Sequence, residues 1–434
     1  MPAERLAPPV SMNSILALVL PILGTIMVAG NAVAQVEAPR GYMLVISVWA
    51  IVSGIVFMAL EQGAAHQAGR HLYRWVIFST LIVLLGFIVR QIAIRPGIDR
   101  PHGIYDGAIQ AEVAADFFIH GKNPYGANYA HTEYGAVNVL PSSGEGTDNP
   151  VWYHYIYPPL TFLVVLPFRL LGNIHTTLGD YRMVTVVLLL VFTWLVVREV
   201  SDLTQKTTVL LLTIGNPMFW IYTGIGCNEM LMTVAVIGSM VFFRRKKWLW
   251  SGIAFGLAIA AKQVIWLIAP LWLAWLWLQY RHGQIQRREF LRVVIGAIGS
   301  AGMLFIPFII WNPVAAWTDM VRFAGGSIPN TYPIAGTTIL QYLHVFHLIP
   351  SPWSVIPVYL FQLLVAIPMY FLVLRWVKRD LSPSRWLVAA AVVLLSLMLV
   401  SRYTNNNFFM TPLAFLITAY VLQQVPQSQE CKHV

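Results

Sequence analysis

The sequence predicts an all-α polytopic membrane protein of about 12 transmembrane helices with amphipathic juxtamembrane helices in a large first extracytoplasmic loop. Three observations carry that expectation. Hydrophobic residues make up 58% of the 434 and charged residues only 11%, well below the roughly 25% charged share of soluble domains. Apolar runs of about 20 residues, the length that crosses a hydrocarbon core with every backbone hydrogen bond satisfied internally, recur along the whole chain. The Lys and Arg residues gather in alternate connections between those runs, which is how cytoplasmic loops are marked. The net charge of +10 is therefore read as a topological signal, and no nucleic-acid partner is expected.

The apolar runs lie near 12–34, 42–60, 74–94, 183–199, 207–223, 228–243, 248–262, 264–280, 291–312, 355–376, 385–400 and 408–424. The first is longer than a signal-peptide core, so an uncleaved helix is expected despite the Ala32-Val33-Ala34 stretch. A shorter run from Tyr157 to Gly172 suits an interfacial or re-entrant helix. Placing Arg244, Arg245, Lys246 and Lys247 in the cytoplasm sends Arg70, Arg74, Arg281, Arg287, Arg288, Lys378 and Arg379 to the same side, provided that short run is not a span. Both termini then face the cytoplasm, as in a prokaryotic plasma-membrane protein, and residues 95–182 and 313–354 face outward. The expected organisation is one membrane domain, 1–434. It comprises two extra N-terminal spans in 1–73, an extracytoplasmic catalytic loop in 95–182 and central spans in 183–312. A second outer loop in 313–354 and C-terminal spans in 355–434 complete it. Cys227 and Cys431 fall on opposite sides, so no disulfide is expected.

Chemistry concentrates in the first outer loop. In "DGAIQAEVAADFFIHGKNPY", from Asp106, the residues Ile109, Val113 and Phe117 recur every four positions, Asp106 is placed to cap and Gly121 to stop. Residues 107–120 thus read as an amphipathic helix on the membrane, with Glu112 and Asp116 on its wet face. An acid at the start of such a helix either caps it or serves as general base toward a lipid-linked substrate, and spacing leaves both readings open. Gln110, Tyr125, His154 and Tyr157 are candidate substrate-binding residues. Around His154, the residues Trp152, Tyr153, Tyr155 and Tyr157 equally suit an interfacial aromatic belt. Lys262, at the outer junction of two apolar runs, and Arg182 and Arg402, at the outer ends of spans, are candidate phosphate ligands; a snorkelling Lys is the alternative for the first. No metal-ligand spacing is evident among His120, His131, His154 and the acids, so neither metal nor cofactor is expected.

The stretch from Asp106 to Tyr125, the "YPPL" at Tyr157–Leu160 and the helix "GIAFGLAIAAKQ" ending at Lys262 and Gln263 together resemble the C-type integral-membrane glycosyltransferases. Family 87, the polyprenyl-phosphate-mannose-dependent mannosyltransferases, is the most similar. The resemblance implies the C-type glycosyltransferase fold and transfer of a sugar from a polyprenyl-phosphate donor to a glycolipid, glycan or protein acceptor. It also implies that Asp106 is the catalytic base. The chain departs from the family in its two extra N-terminal spans and in the competing acids Glu112 and Asp116. The rival expectation from composition is a transporter or lipid flippase, which calls for matched broken helices in paired halves; a non-catalytic scaffold is a third.

Overall fold

A computed structural model describes residues 104–137, 149–172, 176–201 and 203–424; the expected spans at 12–34, 42–60 and 74–94 lie outside these. The described chain is helical apart from one pair of two-residue strands. In the first loop, α1 (Asp106–Ile119) and α2 (Glu133–Val137) precede two short helices, α3 (Leu160–Leu163) and α4 (Leu166–Gly172), over the short apolar run. Next come α5 (Tyr181–Val197), α6 (Leu203–Leu212), α7 (Pro217–Gly224), α8 (Glu229–Arg244), α9 (Trp248–Ala261), α10 (Val264–Arg281) and α11 (Arg287–Trp311). The second loop holds α12 (Pro313–Trp317), a π-helical turn over Thr318–Phe323, β1 (Ala335–Gly336) and α13 (Ile339–Val345). The chain then runs through α14 (Val358–Val377), α15 (Pro383–Leu399), β2 (Tyr403–Thr404) and α16 (Met410–Gln424).

Most of the expected spans among these residues are single helices within a few positions of their predicted ends. The run at 207–223 is not: Asn216 accepts the Met218 N–H at 3.0 Å and Pro217 opens a new helix, so α6 stops and α7 begins. Among the described residues only α11 and α14, at 25 and 20 residues, are by length and composition long and apolar enough to cross a membrane unaided. Their long faces are exposed, with Ile298, Met303, Ile310, Leu364 and Ile367 each more than 60% accessible, as lipid-facing surfaces are.

The tightest helix pair is α9 against α11. Gly252 and Gly256, one turn apart, face the backbone of Val293 and Ala297, and Gly296 returns the contact toward Leu249. Ser300 Oγ donates across the seam to the Ile253 carbonyl at 3.1 Å. Small residues at every fourth position let backbones meet where no hydrophobic driving force separates helix from lipid. Gly252→Leu is expected to force the pair apart and cost about 3 kcal/mol, read as a lowered melting temperature of purified protein. Gly299→Ala, which meets nothing within 4 Å, should leave it unchanged.

Candidate active site

The first-loop helix departs from its expected amphipathic form. Every residue from Gly107 to Ala115 is buried, Glu112 included. The reason is tertiary: α3, α4 and α5 cover α1 on several sides. The acids of its expected wet face are consumed in that packing. Asp116 takes a two-pronged contact from Arg169, Nε to Oδ1 at 2.9 Å and Nη2 to Oδ2 at 2.5 Å. Glu112 accepts the Tyr181 N–H at 2.5 Å and has Arg169 at 3.6 Å. Of the expected aromatic belt, Trp152 and Tyr153 are half-buried, whereas Tyr155 and Tyr157 are buried and stack edge-on with each other; Tyr155 also meets Tyr125 and Phe162 edge-on, and Tyr125 meets Phe308.

Asp106 stands apart from the other two acids. Tyr105 rather than Asp106 is the N-cap, and Asp106 occupies the first helical position, where its Oδ1 accepts the Gly107 N–H at 2.8 Å. The Tyr105 N–H donates to the Ile225 carbonyl at 2.7 Å, which fastens the start of α1 to the turn before α8. Gly226 suits that approach: at φ +83° it takes a conformation that side-chain-bearing residues rarely adopt, and a Cβ would crowd Ala108 and Arg182 at 3.1 and 3.2 Å. The turn delivers Asn228 and Glu229. Burial raises the Asp106 carboxyl above the ordinary aspartate range, the Gly107 N–H opposes this, Glu229 pushes it up further and Lys262 pulls it down.

Lys262 ends α9 in extended backbone at φ −157° and is buried. Its ammonium donates to Glu229 Oε1 and, at 3.0 Å, to Asn228 Oδ1, and it lies 4.5 Å from the Phe408 ring and 5.9 Å from that of Tyr157. Two of three ammonium donors are thus engaged. Glu229 Oε2 and Asn228 Nδ2 are buried with no hydrogen-bond partner among the described residues. Neither residue stood out in the sequence, because a Glu at the start of an apolar helix looks like an N-terminal dipole partner.

Tyr105, Tyr157 and Lys262 line a cavity of about 310 Å³, together with Gln263, Tyr332, Arg402, Tyr403 and Phe408. Apolar side chains, among them Val264, Leu267, Val358 and Leu397, make up much of the remaining lining. Arg402 also borders the cavity, but its guanidinium donates to the carbonyls of Tyr332, Pro352, Ser354 and Ile356. It clasps the second loop beside the β1–β2 ladder, and burial lowers it to about 10. Arg182 lies apart from this cavity, buried and paired with Asp180 at 2.7 Å. Of the three expected phosphate ligands, only Lys262 and Arg402 come together.

The remaining candidates brace the two loops. Gln110 Nε2 donates to the His154 carbonyl at 2.8 Å, and the Tyr125 hydroxyl to the Tyr157 carbonyl at 2.9 Å. His154 Nδ1 contacts Asp319 Oδ1 at 2.6 Å, while Asp319 Oδ2 accepts the N–H groups of Gly126 and Tyr155 at 2.8 and 3.1 Å. Gln263 Nε2 reaches the carbonyls of Ile156 and Met320. Asp319 and Gln263, neither singled out in the sequence, therefore join residues 95–182 to 313–354. Among the described residues no three His, Cys, Asp or Glu side chains gather as a metal site.

A desolvated carboxyl, a buried cation and a half-apolar cavity, set at the ends of membrane helices, define a site suited to group transfer on an amphiphile. The sequence profile of glycosyltransferase family 87 matches residues 155–402, and the chain belongs to that family. Membership of a glycosyltransferase family weighs against the transporter and scaffold readings. The match includes Tyr157, Arg182, Lys262 and Arg402, and begins after Asp106. A crystal structure of ArnT from Cupriavidus metallidurans bound to undecaprenyl phosphate is similar at 13% identity and a TM-score of 0.49, over 81% of this chain and 60% of that one. The chain thus spans less than two thirds of the length of that protein. No curated protein sequence matches at a significant level.

Proposed function

We propose that the protein transfers a sugar, mannose by its family resemblance, from a polyprenyl-phosphate donor to an acceptor hydroxyl on the extracytoplasmic side. The observation that carries this reading is a carboxyl whose burial favours protonation, Asp106, which follows the cavity-lining Tyr105 in the chain and lies within electrostatic reach of the cavity-lining cation Lys262. The Asp106 carboxylate takes the proton of the acceptor hydroxyl as its oxygen bonds to the anomeric carbon. The bond from that carbon to the phosphate oxygen breaks, and the electron pair leaves with polyprenyl phosphate. The configuration inverts. Negative charge grows on the departing phosphate, where the third Lys262 N–H stabilises it. The apolar wall of Val264, Leu267, Val358 and Leu397 suits the first isoprene units. The sidedness is supported by the cluster Arg244–Lys247, which lies at the far end of α8 from Glu229.

The direct test incubates purified protein with labelled polyprenyl-phosphate mannose and membrane lipids and looks for a new glycosylated product; no product with any lipid-phosphate sugar defeats the proposal. The pH profile is a second check. Because the carboxyl must be ionised to accept a proton and burial raises it, kcat/KM is expected to fall as pH drops, with a midpoint above the aspartate value of about 4. A flat profile between about pH 4 and 8 is incompatible with Asp106 as base.

A further inference from the structure

A second cavity, about 600 Å³, lies at the opposite end of the helices that build the first. α10, α14 and α15 carry lining residues of both, and α8 and α9 run from the Glu229–Lys262 pair beside the first to the second. Glu229 pairs with Lys262 at the first while Arg244 lines the second, and Lys262 and Trp248 flank α9 in the same way. Val264 and Gln279 mark the two ends of α10, Val358 and Lys378 those of α14, Leu397 and Pro383 those of α15. The 16 residues of α8 separate them by roughly 24 Å. Nothing in the proposed transfer uses this second cavity.

Its chemistry is cationic. Arg244, Lys246, Lys378, Arg379 and His282 line it, against the single acid Asp380. That acid is already occupied, accepting from Ser382 N at 2.9 Å and Ser382 Oγ at 3.0 Å, with Arg385 at 3.5 Å. Arg244 is engaged with Glu199 at 3.9 Å and the Leu422 carbonyl at 3.1 Å. Lys246, Lys378 and Arg379 are exposed, with no carboxylate within ion-pair distance among the described residues. Lys246 is held in the left-handed region at φ +56°, a conformation that a non-glycine residue adopts at some cost. Leu249 and Trp250, which follow the lining residue Trp248, and Trp376, two residues before Lys378, are exposed at 45%, 57% and 39%. A concave set of cations bordered by exposed aromatic and aliphatic side chains matches a molecule with a phosphate head and apolar tails.

We propose that this cavity is a second, non-catalytic lipid site that takes the phosphate headgroup of an anionic phospholipid. Lys246, Lys378 and Arg379 hold the phosphate oxygens, and Leu249, Trp250 and Trp376 meet the acyl chains. The same cations accept free phosphate in principle, so the test separates the two sources.

Delipidated protein in neutral detergent is titrated with dioleoyl phosphatidylglycerol or dioleoyl phosphatidylcholine, with and without inorganic phosphate, and lipid adducts are counted by native mass spectrometry. Phosphatidylglycerol is expected to bind at least tenfold more tightly than phosphatidylcholine. The Lys246→Asn/Lys378→Gln/Arg379→Gln variant should lose about fivefold for each cation removed, about 100-fold in all. The charge-conserving Lys378→Arg/Arg379→Lys variant should bind as the parent does, which separates lost charge from a disturbed fold. Displacement of the lipid by an equal concentration of inorganic phosphate assigns the cavity to free phosphate and overturns the lipid source. Equal binding of the two lipids, or a triple variant that retains phosphatidylglycerol, overturns the site altogether.

Discussion

Asp106→Asn is expected to reduce transfer by about 10²–10⁴, the range a positioned general base supplies, while donor binding and melting temperature stay near those of the parent. Asparagine keeps the size of the side chain, and its amide oxygen still accepts the Gly107 N–H, so the start of α1 is preserved. The competing acids behave differently. Glu112 and Asp116 are tied to Arg169 and to the N-terminus of α5, so Glu112→Gln and Asp116→Asn should weaken the folded state more than the chemistry. Single-turnover rates with labelled donor check the contrast. A fully active Asp106→Asn protein removes that carboxylate from the mechanism.

Removing Lys262 has the other large expected effect, and it needs a paired variant to interpret. Lys262→Met alone strands Glu229, fully buried, and breaking such a pair costs about 3–5 kcal/mol; poor yield or a low melting temperature is expected. In Lys262→Met/Glu229→Gln no buried charge is left unmatched, so stability should largely return. Transfer should not: loss of the cation that faces the departing phosphate is expected to lower kcat by about 10²–10³. Melting temperature and turnover measured on both variants separate support from catalysis, and a double variant with parental turnover rules Lys262 out as the phosphate ligand.

The sequence displayed what periodicity and local chemistry encode. The ends of α5, α8–α11 and α14–α16 follow apolar runs and their charged flanks, Gly121 stops α1 at φ +73°, and Lys262 stands out as a charge between apolar stretches. What it concealed is tertiary. Four-residue spacing made Glu112 and Asp116 look solvated, because nothing local announces that α4 will bring Arg169 over them. Arg402 looked like a free cation since its partners, the carbonyls of 332–356, are backbone atoms and carry no sequence signature. Asp319, Gln263 and Glu229 find their partners 33 to 193 residues away along the chain, beyond the reach of any window. The break at Gly215-Asn216-Pro217 is different: the stop and cap residues were visible, and the apolar run around them outweighed that signal.

Under the proposed function, unequal helix lengths set the depth of the reaction. The lipid-facing α11 and α14, at 25 and 20 residues, reach roughly 37 and 30 Å and match a hydrocarbon layer of about 30 Å. The inner α9 has only 14 residues, roughly 21 Å, and Lys262 stands at its end. On the proposed mechanism the end of α9 that carries Lys262 stops short of α11, which runs on to Trp311, so the phosphate is met below the end of that longer helix. Hydrophobic mismatch of this kind thins the adjoining leaflet; under the proposed function a lipid-borne sugar then has only to tip inward, whereas a water-soluble acceptor has to descend to meet it.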